Sequence, residues 1–174
     1  SKSNQINLCE GIIIPGQGAF DPAIVNLKNT ELIDDIKRWI ERGNPFLGIC
    51  LGLQLLFESS EEGHREGLGL VKGKIKKIPK TAHQRIPHIG WCNLIPTKES
   101  KLLNKNDLKN WVYFDHSYYA VPQNENVISA NVEYGPLFLT AIIEHENLVA
   151  CQFHPEKSGK KGEELLQRWL KNIK

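Results

Sequence analysis

Apolar residues follow two rhythms along this chain, and the change between them divides it. Gly11-Ile12-Ile13-Ile14, the end of an apolar stretch over 6–14 that stops at Pro15, is a short β-branched run. It is the pattern of a strand buried on both faces of a parallel sheet. A Gly/Pro-rich loop comes next. Leu32, Ile33, Ile36, Trp39 and Ile40 then recur at helical spacing, with Thr30 placed to cap the start and Gly43 to end the turn. Residues 45–49 read as a second apolar strand, and 51–58, with Leu53, Leu55, Leu56 and Phe57, as a second helix. Strand, helix, strand, helix implies parallel pairing.

From 69 to 153 the rhythm shortens to strands, predicted over 70–78, 86–95, 112–120, 127–133, 137–144 and 148–153. Pro96, Asn124, Gly135-Pro136 and Glu146-Asn147 punctuate them. Leu165, Leu166, Trp169, Leu170 and Ile173 share one face of a closing amphipathic helix. Neither an internal repeat nor a low-complexity linker interrupts residues 1–174, so one α/β domain is expected.

Composition narrows the class. The chain has 174 residues, 40% hydrophobic and 24% charged, with 22 Lys+Arg against 20 Asp+Glu and a formal net charge of +2. That suits one globular domain with its own core. It lacks the roughly 20-residue apolar run of a membrane span. A nearly balanced charge argues against a nucleic-acid binder, and Lys72, Lys74, Lys76, Lys77 and Lys80 read as a solvated strand edge. Cys9, Cys50, Cys92 and Cys151 are widely spaced, without a C-x-x-C pair, as expected of reduced thiols in a cytoplasmic protein. Residues 1–5 show no signal-peptide pattern. The histidines at 64, 83, 88, 116, 145 and 154 have no metal-ligand spacing, so neither metal nor cofactor is expected.

One cysteine differs from the rest. Gly48-Ile49-Cys50-Leu51-Gly52 lies at a strand-to-helix junction, where flanking glycines permit the close backbone approach of a nucleophile elbow. The N-terminus of the following helix would favour thiolate. Core packing is the competing reading of Cys50. In Gln152-Phe153-His154-Pro155-Glu156, proline holds His154 extended, so His154 and Glu156 point to the same side as base and orienting carboxylate. A Cys50/His154/Glu156 triad follows as a hypothesis. Pro15-Gly16-Gln17-Gly18 ends the first strand with the glycines an oxyanion hole requires, and it lacks the third glycine of a dinucleotide loop.

Together, Pro15-Gly16-Gln17-Gly18, Gly48 to Gln54 and His154-Pro155-Glu156 resemble the class I (triad) glutamine amidotransferases. Within that class, Pro87-His88-Ile89-Gly90-Trp91 and Tyr113 to Tyr118 are similar to the glutaminase subunit of imidazole glycerol phosphate synthase. The resemblance implies a flavodoxin-like, mostly parallel central sheet flanked by helices, with an additional antiparallel strand region. It implies that Cys50 attacks the glutamine carboxamide while His154 acts as base then acid and Glu156 orients it. Gly16, Gln17, Gly18 and Leu51 would form the oxyanion site, with the Gln17 peptide as its switch. Gln54 and Glu62 would hold glutamine, and Ser117 and Tyr118 would close the pocket. For Glu62 the alternative is a solvated acidic face shared with Glu58, Glu61 and Glu66. The implied partner is a (β/α)₈-barrel cyclase subunit in a heterodimer, facing Trp91 and Lys157; the alternative for Trp91 is core packing.

The chain departs from the family pattern in several places. It lacks the family's opening strand-helix unit and contains no methionine, so an N-terminally incomplete sequence is expected. Gln17 stands where valine is usual, Ile89 where methionine is more common, and Cys92 intervenes before Asn93. These keep open a paralogue feeding ammonia to a sugar-modifying partner in surface polysaccharide synthesis. A non-catalytic scaffold is the reading from a different class, disfavoured because all three triad members are present.

Overall fold

A computed structural model describes residue 6 and residues 8–80, 84–104 and 109–173. His83, residues 1–5 and part of the predicted 6–14 strand lie outside the described residues. The elements run β1 (Ile12–Ile14), α1 (Phe20–Asn29), α2 (Ile33–Glu41), β2 (Phe46–Ile49), α3 (Leu51–Gln54), β3 (Phe57–Ser60) and β4 (Val71–Lys77). They continue as β5 (His88–Pro96), β6 (Trp111–His116), β7 (Tyr118–Pro122), β8 (Ile128–Tyr134), β9 (Leu137–His145), β10 (Leu148–Cys151) and α4 (Gly159–Lys171).

Seven strands form one sheet in the order β1-β2-β10-β9-β8-β5-β6, and β3-β4-β7 form a second. The expected α/β architecture is present, but the large sheet is mixed rather than mostly parallel. Only β1/β2 and β2/β10 pair in parallel; from β10 through β9, β8 and β5 to β6 every pairing is antiparallel. Two-residue links join β8 to β9 and β9 to β10, and connections that short permit only antiparallel pairing.

Alternation explains why β2 and β10 are continuously apolar. Leu47, Ile49, Val149 and Cys151 enter the core on the α4 side, with Leu165 and Trp169. Phe46, Leu148 and Ala150 enter the opposite core, with Phe20, Ile24 and Ile36 from α1 and α2. Both faces of these central strands are therefore covered. β1 was expected to be equally buried, yet Ile13 is 45% exposed, because among the described residues β1 pairs with β2 alone.

Other departures have identifiable causes. The Gly/Pro-rich loop contains α1, where Phe20, Ala23, Ile24 and Leu27 make an apolar stripe and Pro22 sits harmlessly in the first turn. Thr30 does not open α2; its hydroxyl donates to the Leu27 carbonyl at 2.6 Å and closes α1. Gly43, at φ +79°, ends α2 as expected: its N–H reaches Ile40 and that of Asn44 reaches Trp39. The helix predicted over 51–58 stops after one turn, because Phe57–Ser60 pairs in parallel with β4. The strand predicted over 112–120 breaks at Ser117, where the chain passes from the large sheet into the small one. The lysine-rich β4 is the middle strand of its sheet rather than an edge, with Lys72, Lys74 and Lys77 exposed. On α4, Leu165 and Trp169 are buried but Leu170 is exposed. No described helix is long and apolar enough to cross a membrane.

Candidate active site

The end of β2 is a sharp elbow. Cys50 sits at φ +50°, a region that L residues with a Cβ rarely occupy, and its N–H donates to the Cys151 carbonyl at 2.8 Å. The flanking glycines are there for space. A Cβ on Gly48 would lie 2.8 Å from the Gly52 carbonyl oxygen, and one on Gly52 would lie 1.9 Å from that of Ile14. Gly16 is equally confined, since its Cβ would meet that of Leu51 at 2.7 Å. Gly18, at φ +116°, has open space around it, so conformation alone accounts for glycine there.

His154 follows β10 on the neighbouring strand. Its ring is buried, and Nδ1 lies 2.7 Å from Glu156 Oε1, whose side chain is 51% exposed. The extended backbone at His154, followed by the 3₁₀ turn Pro155–Lys157, aims both side chains the same way. Ser158 locks this segment to β6. Its hydroxyl accepts from the Tyr113 N–H at 2.9 Å and donates to the His154 carbonyl at 2.6 Å, while the His154 N–H donates to the Tyr113 carbonyl at 2.9 Å.

Cys50 and His154 line one cavity of about 360 Å³ with Gly16, Gln17, Gly18, Leu51, Gln54, Glu62, Ser117 and Tyr118. Every proposed oxyanion and substrate residue thus reaches the same space. Glu62 is more than part of a solvated acidic face: its carboxylate accepts from the Phe20 N–H at 2.8 Å, at the start of α1. Its neighbours are also engaged, Glu58 accepting from the Gly73 N–H and Glu61 from that of Lys77. Trp91 and Lys157 lie outside this cavity lining. Trp91 is 49% exposed, which overturns the core-packing alternative, and a Cβ on Gly159 would come within 4.0 Å of it, so it borders the start of α4, two residues past Lys157.

The electrostatics correct one expectation. Burial pushes the Cys50 thiol up to about 12, with the Leu51 N–H and the Gln152 amide opposing the rise and the Asp115 and Glu156 carboxylates adding to it. A helix of one turn does not outweigh that desolvation, so Cys50 rests as a thiol rather than a thiolate. A thiol needs a base before it can act as a nucleophile, and His154 lines the same cavity. Among the described residues no group of three or more His, Cys, Asp or Glu could hold a metal ion.

Sequence reasoning missed Gln152, whose Nε2 donates to Cys50 Sγ at 3.6 Å and whose Oε1 accepts from Gln54 Nε2 at 3.4 Å. The same i, i+2 alternation that placed Glu156 beside His154 places Gln152 there too, and would have found it. Pro87, Asp115 and His116 also line the cavity. They lie within the two motifs already singled out.

If Glu156 acts only to orient His154 from its half-exposed position, Glu156→Gln is expected to lower the hydrolytic rate about two orders of magnitude less than His154→Ala. Steady-state rates of the two variants check this, and equal losses would contradict an orienting role.

Residues 2–173 match the family glutamine amidotransferase class-I. The chain is 65% identical over 171 residues to a protein of Prochlorococcus marinus subsp. pastoris named imidazole glycerol phosphate synthase subunit HisH, covering 98% of this chain and 83% of that one. It is 64% identical over 165 residues to a protein of the same name from strain MIT 9312, covering 95% and 80%. Among solved structures, one described as a glutamine amidotransferase superposes with a TM-score of 0.71 at 16% identity, covering 97% of this chain and 82% of that one. PurLQS from Thermotoga maritima superposes with 0.70 at 20% identity, covering 95% and 80%. These last two establish the fold; with the family match and the closely similar relatives, they place this chain among the class I glutamine amidotransferases.

Proposed function

We propose that this protein hydrolyses glutamine and supplies the ammonia to a cyclase subunit that makes imidazole glycerol phosphate in histidine biosynthesis. The observation that carries this reading is the single cavity in which Cys50, His154, the 16–18 loop, Gln54 and Glu62 meet. Relatives at 50–65% identity are named imidazole glycerol phosphate synthase subunit HisH, which supports imidazole glycerol phosphate as the product the ammonia serves.

His154 takes the proton from Cys50 Sγ as the sulfur attacks the carboxamide carbon. The tetrahedral intermediate places its oxyanion against the Leu51 N–H, already directed at Cys50, and a peptide of the 16–18 loop. His154 then protonates the departing amine, ammonia leaves, and water hydrolyses the thioester to glutamate. Gln54 and the Glu62 carboxylate hold the amino-acid end, with Ser117 and Tyr118 closing over it. No cofactor enters these steps.

The partner seats, in this reading, on the face of β5 and β6. Ile89 (58% exposed), Trp91 and Trp111 (52%) point outward from two strands in the register Trp91↔Tyr113 and Asn93↔Trp111, and Gly159, two residues after Lys157, approaches Trp91. The complex is a heterodimer in the cytoplasm, and it requires neither membrane nor nucleic acid. Relatives 53–65% identical over the aligned residues carry the name imidazole glycerol phosphate synthase subunit HisH, so the surface-polysaccharide paralogue is not favoured.

The test is the glutaminase rate of the chain alone and with the histidine-pathway cyclase plus its nucleotide substrate. If docking turns one peptide of the 16–18 loop into the oxyanion site, the rate is expected to rise by about 10²–10³. A rate indifferent to that cyclase would overturn the assignment of partner and pathway.

A further inference from the structure

The hydrogen bonds behind the cavity form one connected chain that begins on the outward strand β5 and ends on the nucleophile. Cys92 Sγ lies 3.3 Å from His88 Nε2, and His88 Nδ1 lies 3.1 Å from His116 Nε2. His116 Nδ1 lies 2.8 Å from the Tyr118 carbonyl oxygen. The same carbonyl accepts from Gln54 Nε2 at 3.1 Å. The second N–H of that amide reaches Gln152, which donates to Cys50 Sγ.

Valence fixes the direction of every link. A carbonyl oxygen only accepts, so His116 Nδ1 carries a proton. Burial pushes His88 down to about 4 and His116 to about 3, so at neutral pH each ring is neutral and has one N–H. His116 Nε2 is therefore an acceptor, His88 Nδ1 its donor, and His88 Nε2 an acceptor for the Cys92 thiol. Burial holds that thiol above its ordinary value, which keeps the proton on sulfur. Both rings are Nδ1–H tautomers, the reverse of the form a free neutral imidazole prefers. His88 is fixed in plane by Phe114 at 4.8 Å (18°) and Tyr134 at 4.1 Å (31°) between ring centroids.

We propose that His88 is a positioning residue for glutamine: it selects the tautomer in which His116 holds the Tyr118 carbonyl, and that carbonyl holds Gln54. His88 does not line the cavity, so it acts on substrate only through His116. Without its donor, His116 Nε2 is left unpaired, and the ring relaxes to the Nε2–H form that cannot donate to Tyr118. The inference rests on the glutaminase reading of the cavity.

Two measurements test it. Long-range ¹H–¹⁵N correlation on the intact protein labelled with ¹⁵N-histidine is expected to show His88 and His116 as neutral Nδ1–H tautomers at pH 7. An Nε2–H signature for His116 would overturn the proposal, and this readout needs no variant to fold. In the complex with the cyclase, His88→Phe retains a flat ring but no donor, and is expected to raise KM for glutamine about tenfold with little change in kcat. His88→Asn restores a donor at the Nδ1 position and is expected to stay within about twofold of the unaltered protein. Equal KM values for the two variants, whether raised or normal, would overturn the proposal. Absence of glutaminase activity in the unaltered complex would count against the functional reading instead, and the tautomer spectrum would still decide the ring geometry.

Discussion

Cys50→Ala is expected to abolish glutamine hydrolysis, by about 10⁴–10⁶-fold, while leaving synthesis from added ammonia by the cyclase complex intact. Alanine keeps the Cβ, so the elbow at φ +50° and the Cys151 hydrogen bond to its backbone N–H are retained and only the sulfur is lost. The fold therefore survives the change, and the loss reports chemistry. Because Cys50 rests as a buried thiol, the sulfur depends on His154 for deprotonation, and His154→Ala is expected to be nearly as damaging. The double variant should be little worse than either single one, since members of such a unit do not add. Parallel assays with glutamine and with ammonia decide the matter. Loss of both activities in Cys50→Ala would contradict a separate ammonia-generating role, and small effects of both single changes would contradict the triad.

The local geometry of the proposed triad was legible in the sequence. Two glycines around a cysteine, and a proline between histidine and glutamate, each constrain a few consecutive residues, and Cys50 stands at φ +50° while His154 Nδ1 lies 2.7 Å from Glu156 Oε1. The cavity wall was harder to read. Ser117 and Tyr118 lie at the crossing between two sheets, and the sequence there reads as one unbroken strand because every residue suits an extended backbone. Glu62 reads as one of four surface carboxylates until the fold brings the start of α1 against it, 42 residues away in sequence. The helix predicted over 51–58 failed for the same reason. Its leucines fit either period, and pairing of Phe57–Ser60 with β4 decides the outcome through contacts no local window contains. The thiolate expected from a helix N-terminus depended on depth, which composition does not reveal.

The second large effect is expected at a residue with no side chain. In Gly52→Ala the new Cβ would lie 1.9 Å from the Ile14 carbonyl oxygen, a backbone atom at the end of β1, so no side-chain rotation can relieve the clash. Either α3 rises from the sheet or β1 moves aside. The first displaces Cys50; the second displaces the Pro15-to-Gly18 loop that follows directly on Ile14. Overpacking of this severity costs about 3 kcal/mol or more, which for a chain of this size lowers Tm by about 6–12 °C. Hydrolysis is expected to fall by at least about 10²-fold, because nucleophile and oxyanion donors no longer share one geometry. Gly18→Ala separates space from conformation. Nothing lies within 4 Å of its added Cβ, so only the φ of +116° opposes the substitution, at a cost of about 1 kcal/mol. Thermal unfolding of the two variants tests the ordering, and a Gly52→Ala protein as stable as Gly18→Ala would refute the account of why the elbow needs its second glycine.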